Sequence, residues 1–230
     1  MKKIESVVVF LMLVSSLLGQ TDNLHGFAII KDKDGFTNMR KEPNTQSKII
    51  GKIKDDELFY CLWNEGHDDW YEIDFEGSSG FIHKSRIQSL ADLPHEKSSK
   101  QIKDTLFLTK GNLSIKIVKA NFIKSAHKIV KDNQKGIFLI DGKQPWGVDF
   151  GIPSMSIQSI EITVDNGVIN IPKSELADLF NPNFESGNLY FKDKDTFYLV
   201  MQNGDAAGSY GVAFVIKDKR YVKRYIFRGF

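Results

Sequence analysis

Hydrophobic and polar positions alternate with a period of two along much of the chain. Leu113, Ile115 and Ile117 alternate with Ser114 and Lys116, and Ile160, Ile162 and Val164 alternate with Glu161 and Thr163. Successive side chains of an extended strand point to opposite faces, so this pattern predicts half-buried antiparallel strands. Turn dipeptides fall between the runs at Asp141-Gly142, Asn166-Gly167 and Asn203-Gly204, with weaker versions at Asp193-Lys194-Asp195 and Asp218-Lys219. Such residues tolerate the positive φ of tight hairpin turns. The last two strands are expected over 209–217 and 220–228, joined as a hairpin. One stretch breaks the period. Leu176, Leu179 and Phe180 follow Pro172 and precede Asn181-Pro182, which predicts a short helix over 173–180 capped by Ser174. The segment 121–132 fits strand and helix equally.

Two segments lack alternation altogether. Leu58-Phe59-Tyr60-Cys61-Leu62 is continuously apolar, and Cys61 is the only cysteine, so no intramolecular disulfide forms. Its setting is that of a buried core thiol, since a catalytic thiol needs a nearby base and an exposed site. Ala91 to Asp104 contains Pro94 and a polar run from His95 to Gln101, and reads as a linker. It divides a first module, 26–90, from a second, 105–230. The expected fold is mostly β, with the second module an antiparallel β-sheet domain carrying one short helix.

The N-terminus changes the setting. Lys2 and Lys3 precede an apolar run of 12 residues, Val7 to Leu18, interrupted only by Ser15 and Ser16 and followed by Gly19, Gln20 and Thr21. A bilayer core of about 30 Å needs roughly 20 helical residues, so the run is too short to span it. Residues 1–19 read as a secretory signal peptide, with a periplasmic or secreted mature protein and membrane contact only during export. Their removal takes Lys2, Lys3 and Glu5 and leaves 29 basic against 28 acidic residues. A near-neutral balance argues against nucleic acid as a partner.

Five elements in order carry a resemblance. They are Phe36-Thr37-Asn38-Met39-Arg40-Lys41-Glu42-Pro43, Ser47-Lys48-Ile49-Ile50-Gly51-Lys52-Ile53, Glu57 to Trp63, Asp69-Trp70-Tyr71-Glu72-Ile73, and Gly80-Phe81-Ile82-His83-Lys84-Ser85. Residues 27–90 resemble a bacterial SH3-like domain, the small barrel attached to many secreted cell-wall proteins. On this reading Met39, Ile49, Ile50 and Ile53 fill the barrel, and Gly51 and Gly80 allow bends or close backbone approach. Glu76-Gly77-Ser78-Ser79 makes a tight hairpin. The resemblance implies binding of peptidoglycan, its stem peptides or another extracytoplasmic ligand. The candidate groove residues are Trp63, Asp68, Trp70, Tyr71 and His83. Trp70 and Tyr71 also suit purely structural roles, and the acidic loop 64–69 suits either an amine ligand or a solvated hairpin tip.

Such barrels often accompany peptidases or amidases that cut cell walls. The second module contains no Cys, which excludes a papain-like peptidase there, and after residue 104 the only His is His127, too few for a zinc amidase. No Gly-x-Ser-x-Gly elbow and no Gly-rich phosphate cradle occurs. Asp149, Glu161, Glu175, Asp178, Glu185 and Asp205 leave a carboxylate pair open, with nothing to single out two of them. No catalytic residue, metal ligand or cofactor is assigned. Two loops stand out. Pro145-Trp146-Gly147-Val148-Asp149-Phe150-Gly151-Ile152-Pro153 has the make-up of a recognition loop, and adds Trp146 and Asp149 to the ligand-binding candidates. Asn203 to Gly211 is rich in small residues that admit a ligand or another backbone. Each also suits a packed loop closing one end of a sheet. The basic and apolar alternation of 217–228 suits an edge guard or a face toward an anionic surface. The expected function is non-catalytic binding of peptidoglycan or a peptide ligand. The alternatives are a protein–protein role, as inhibitor or immunity partner of a periplasmic cell-wall enzyme, and an unrecognised hydrolase.

Overall fold

The computed structural model describes residues 26–62, 69–97, 100–149, 151–204 and 206–228. The signal-like segment, Trp63, Asp68 and Asp205 lie outside the described residues. The first sheet contains β1 (Gly26–Ile30), β2 (Phe36–Arg40), β3 (Ile49–Lys54), β4 (Leu58–Cys61), β5 (Trp70–Phe75), β6 (Ser78–His83) and β7 (Ile87–Ser89), in the order β3-β2-β6-β5-β4-β1-β7. All its pairings are antiparallel. Side chains from each of β1 to β6 meet in one interior cluster around Phe59, Tyr71 and Ile82, so the sheet curls into a small barrel. Gly80 lets the walls close: a Cβ there would stand 2.6 Å from Met39 Cγ and 2.9 Å from the Arg40 carbonyl oxygen. Of the four residues expected to fill the barrel, Met39 and Ile53 do so, whereas Ile49 and Ile50 are 49% and 42% exposed. They lie on the edge strand, beside a register shift between Met39 and Arg40.

The rest of the chain is a β-sandwich. Its strands are β8 (His95–Lys97), β9 (Lys100–Ile102), β10 (Thr105–Lys110), β11 (Leu113–Asn121), β12 (Ile129–Asp132), β13 (Ile137–Ile140), β14 (Met155–Val164), β15 (Gly167–Asn170), β16 (Asn188–Phe191), β17 (Thr196–Asn203), β18 (Tyr210–Lys217) and β19 (Arg220–Phe227). One sheet runs β15-β14-β11-β10-β9, the other β19-β18-β17-β16-β8, and β12 and β13 form a separate hairpin. The alternating residues of β11 and β14 point inward as their pattern requires, onto Leu199, Val212 and Phe214 of the facing sheet. The terminal hairpin turns at Asp218 and Lys219, both at positive φ.

Two expectations are corrected here. The segment read as a linker carries β8 and β9, each added as the edge strand of a different sheet. Exposed edge strands need no apolar alternation, so their sequence looks like loop. The short helix is realised only as a 3-10 turn at Lys173–Glu175, with Pro172 as its N-cap and no capping side chain, so Ser174 does not cap it. Leu176, Leu179 and Phe180 are buried as expected, but Leu179 and Phe180 are held in isolated bridges to Trp146 and Ser156.

The central sheet is covered on both faces. Phe197, Leu199 and Met201 of β17 face the sandwich core, while Tyr198 and Val200 face the barrel. On the barrel side, Phe27, Ile29, Leu58 and Tyr60 meet them, alternating with Ala28, Ile30, Phe59 and Cys61 that point into the barrel. Double-sided burial explains why 58–62 is continuously apolar. Polar contacts rim the join: the Glu76 amide donates to Tyr225 Oη at 2.7 Å, Lys223 pairs with Glu57 at 2.5 Å, and Lys192 pairs with Asp56.

Candidate functional site

The outward residues of β2 and the loop before it build a groove on the barrel. In β2, Met39 turns inward while Phe36, Asn38 and Arg40 face out. Trp70 of β5 lies opposite His83 of β6 in the ladder, and their rings meet edge to face at 5.4 Å. These residues, with Asp32, Asp34, Thr45, Ser85 and Arg86, line a groove of about 450 Å³. That volume falls within the range of small-ligand sites, about 300–1,000 Å³.

The groove is braced from beneath. Asp32 is 8% exposed, and its carboxylate accepts from Arg86 at 2.6 Å and from the Asp34 amide at 3.0 Å. Arg40 donates to the Ser47 carbonyl at 2.7 Å, which fixes the loop between β2 and β3. No carboxylate pairs with Arg40 among the described residues, so its remaining N–H donors are available to a ligand. Lys52 Nζ sits 3.8 Å from the centre of the Phe36 ring. His83 caps the 3-10 turn Lys84–Arg86: its Nδ1 accepts from the Ser85 amide at 3.3 Å, which places the proton of the neutral ring on Nε2. Beside it, the hydrogen bond from Lys84 holds the Asp69 carboxyl below its usual range. The lining combines two guanidinium groups, two carboxylates, amide and hydroxyl groups, and the aromatic faces of Trp70 and Phe36. Such a set offers hydrogen-bonding groups and aromatic faces to a polar ligand.

Residues 35–88 match the family model of the bacterial SH3 domain. This stretch is a bacterial SH3 domain. No curated protein matches the chain. The SH3 match supports a protein-binding or cell-wall-binding module.

Within the SH3 domain, Trp70 and His83 both line the groove. Tyr71 does not join them. It is 3% exposed and fills the barrel core, because neighbouring residues of a strand face opposite ways. Cys61 is buried, and burial raises its thiol well above the ordinary range. Sequence reasoning missed Asp32, Asp34, Phe36, Asn38, Arg40 and Arg86. The signal for three of them was present, since period two places Phe36, Asn38 and Arg40 on the face opposite Met39.

Trp146 and Asp149 lie in the sandwich, among a separate set of residues. The Trp146 loop is stitched to the chain beside it: the Trp146 amide donates to the Asp178 carbonyl, and the Phe180 amide donates to the Trp146 carbonyl. Gly147 sits at φ +91°, where a Cβ would stand 2.3 Å from the Phe180 carbonyl oxygen. Gly204 and Gly208 press against Gly147 and Val148 in the same way. The small residues of the 203–211 loop therefore admit another backbone, that of the Trp146 loop. Asn181 closes the knot, accepting from Ser154 and Met155 and donating to the Gly147 carbonyl. Among the candidate carboxylates, Glu161 pairs with Lys116, and Glu175 and Asp178 pair with Arg224.

Proposed function

We propose that this chain is an exported, non-catalytic binding protein that recognises peptidoglycan, its stem peptides or another extracytoplasmic ligand through the groove of its SH3 domain. The observation that carries the reading is the groove itself, where Trp70 and His83 stand beside two guanidinium groups and two carboxylates on a braced barrel wall. A stem peptide offers amide, ammonium and carboxylate groups along an extended backbone, and the lining matches each with a group of complementary chemistry. The signal-like residues 1–19 support export. The SH3 match supports binding over catalysis.

Co-sedimentation of the mature chain with purified sacculi tests the proposal. Binding should be saturable, and Arg40→Gln and Asp34→Asn, both on the groove surface, should weaken it; Asp34→Asn should leave the unfolding midpoint unchanged, and Arg40→Gln should lower it only by the loss of its hydrogen bond to the Ser47 carbonyl. Absence of the chain from the pellet, or binding indifferent to both substitutions, refutes recognition of peptidoglycan through this groove. Cell fractionation tests export: accumulation of a full-length form in the cytoplasm refutes it.

A further inference from the structure

A second pocket, of about 350 Å³, opens between the β12–β13 hairpin and the Trp146 loop. Phe138, Leu139, Pro145 and Val148 give it apolar lining, and Asp149 and Arg228 bring opposite charges to it. Arg228 is poised: its guanidinium carbon lies 5.5 Å from the centre of the Trp146 ring, a cation–π contact that limits where the long side chain can go. Asp149 is exposed on a loop that the glycine contacts and Asn181 hold rigid. Neither charge is ion-paired with another described residue, nor are the two paired with each other. Other charges of the sandwich are paired, as with Arg224 and Asp178, Lys219 and Asp165, and Lys116 and Glu161, whereas Arg228 and Asp149 share one pocket. Two unmatched opposite charges on one apolar pocket of ligand size are the complement of a zwitterion with an apolar side chain.

We infer that this pocket binds an amino acid or short peptide zwitterion, with the apolar side chain against Phe138 and Val148, the carboxylate on Arg228 and the ammonium on Asp149. Trp146 then acts by holding Arg228 in place. The site shares no residue with the SH3 groove and does not depend on that reading.

The test is calorimetric titration of the mature chain with L-phenylalanine and glycyl-L-phenylalanine, each beside its N-acetyl and C-terminal amide derivative. At least one zwitterion should bind saturably. Blocking either charge should weaken binding about tenfold, the worth of one charge-assisted hydrogen bond. Arg228→Gln should weaken the zwitterion and the N-acetyl form but leave the amide unchanged. Asp149→Asn should weaken the zwitterion and the amide but leave the N-acetyl form unchanged. Tighter binding of phenylalanine supports a free amino acid, and tighter binding of the dipeptide supports a peptide. Failure of both zwitterions to saturate overturns the inference. So does equal binding of charged and blocked forms, or binding indifferent to both substitutions in chains whose circular dichroism is unchanged.

Discussion

Tyr60→Ala tests whether the barrel and the central sheet are one folding unit. Tyr60 is 3% exposed and belongs to the barrel by sequence, but its ring points out of it. It stacks on Phe227 of β19 at 3.9 Å between centroids with 13° between planes, and meets Phe27 edge-on at 5.1 Å. Truncating a buried aromatic to Ala costs about 3–5 kcal/mol, within which each lost aromatic pair contributes about 0.5–1.5 kcal/mol. For a chain of this length each kcal/mol moves the unfolding midpoint by about 2–4 °C, so the midpoint should fall by roughly 6–20 °C. The distribution of that loss is the decisive quantity. A reporter chain with Trp63→Phe and Trp146→Phe leaves Trp70 to follow the barrel. One with Trp63→Phe and Trp70→Phe leaves Trp146 to follow the sandwich. Fluorescence-monitored denaturation of each, with and without Tyr60→Ala, should show both midpoints falling by the same amount. A fall at Trp70 with no change at Trp146 would refute the shared core as a cooperative link.

Four further outcomes follow from named contacts. Gly147→Ala should destabilise by roughly 2–4 kcal/mol in thermal denaturation, since it combines a positive φ with a Cβ 2.3 Å from a carbonyl oxygen; a neutral effect would mean that the two loops are not packed as described. Arg224→Met strands the Asp178 carboxylate at 7% exposure and should cost about 3–5 kcal/mol, most of it recovered in Arg224→Met/Asp178→Asn; a double variant no better than the single one sinks the assignment. Burial raises the phenols of Tyr60, Tyr190, Tyr198, Tyr210, Tyr221 and Tyr225 above their ordinary value, so folding keeps their protons on. Stability should therefore drop as pH rises past the unfolded value of about 10, with tyrosinate absorbance appearing together with loss of structure rather than before it. Burial also raises the Asp74 carboxyl, so its charge opposes folding at neutral pH. Asp74→Asn should raise the unfolding temperature at neutral pH, and the gain should vanish in acid where the wild-type carboxyl is protonated.

The barrel was legible because its requirements are local. A hairpin at Glu76-Gly77 needs two residues at positive φ, and both stand there. The close approach at Gly80 needs a residue without a Cβ, and the alternation in β2 and β11 needs only a wet face and a dry one. What escaped was set by partners distant in sequence. Strands β8 and β9 look like linker because an exposed edge strand needs no apolar face. The segment 173–180 carries a helical spacing, yet Trp146 bridges Leu179 and Arg224 grips Asp178, 46 residues away, so the chain is pulled open after one 3-10 turn. Tyr71 was grouped with Trp70 because they are adjacent, although adjacency in a strand guarantees that they part.

The same distinction separates the two candidate sites. The groove residues Phe36, Asn38 and Arg40 lie within the family pattern, and their face follows from the parity of Met39. Arg86 and Asp32 join them only through a contact spanning 54 residues. The pocket at Trp146 has no such local signature. Its walls come from a hairpin, a loop and the end of β19, brought together by glycines whose lack of side chains says nothing about what they pack against. The continuous apolar run at 58–62 did carry long-range information. A strand that faces water on one side has no use for apolar residues of both parities. Phe59 and Cys61 serve the barrel, and Leu58 and Tyr60 serve the sheet beyond it. That run therefore announces a second layer outside the barrel, and the layer packs on β1 and β4, whereas the groove is lined from β2, β5 and β6.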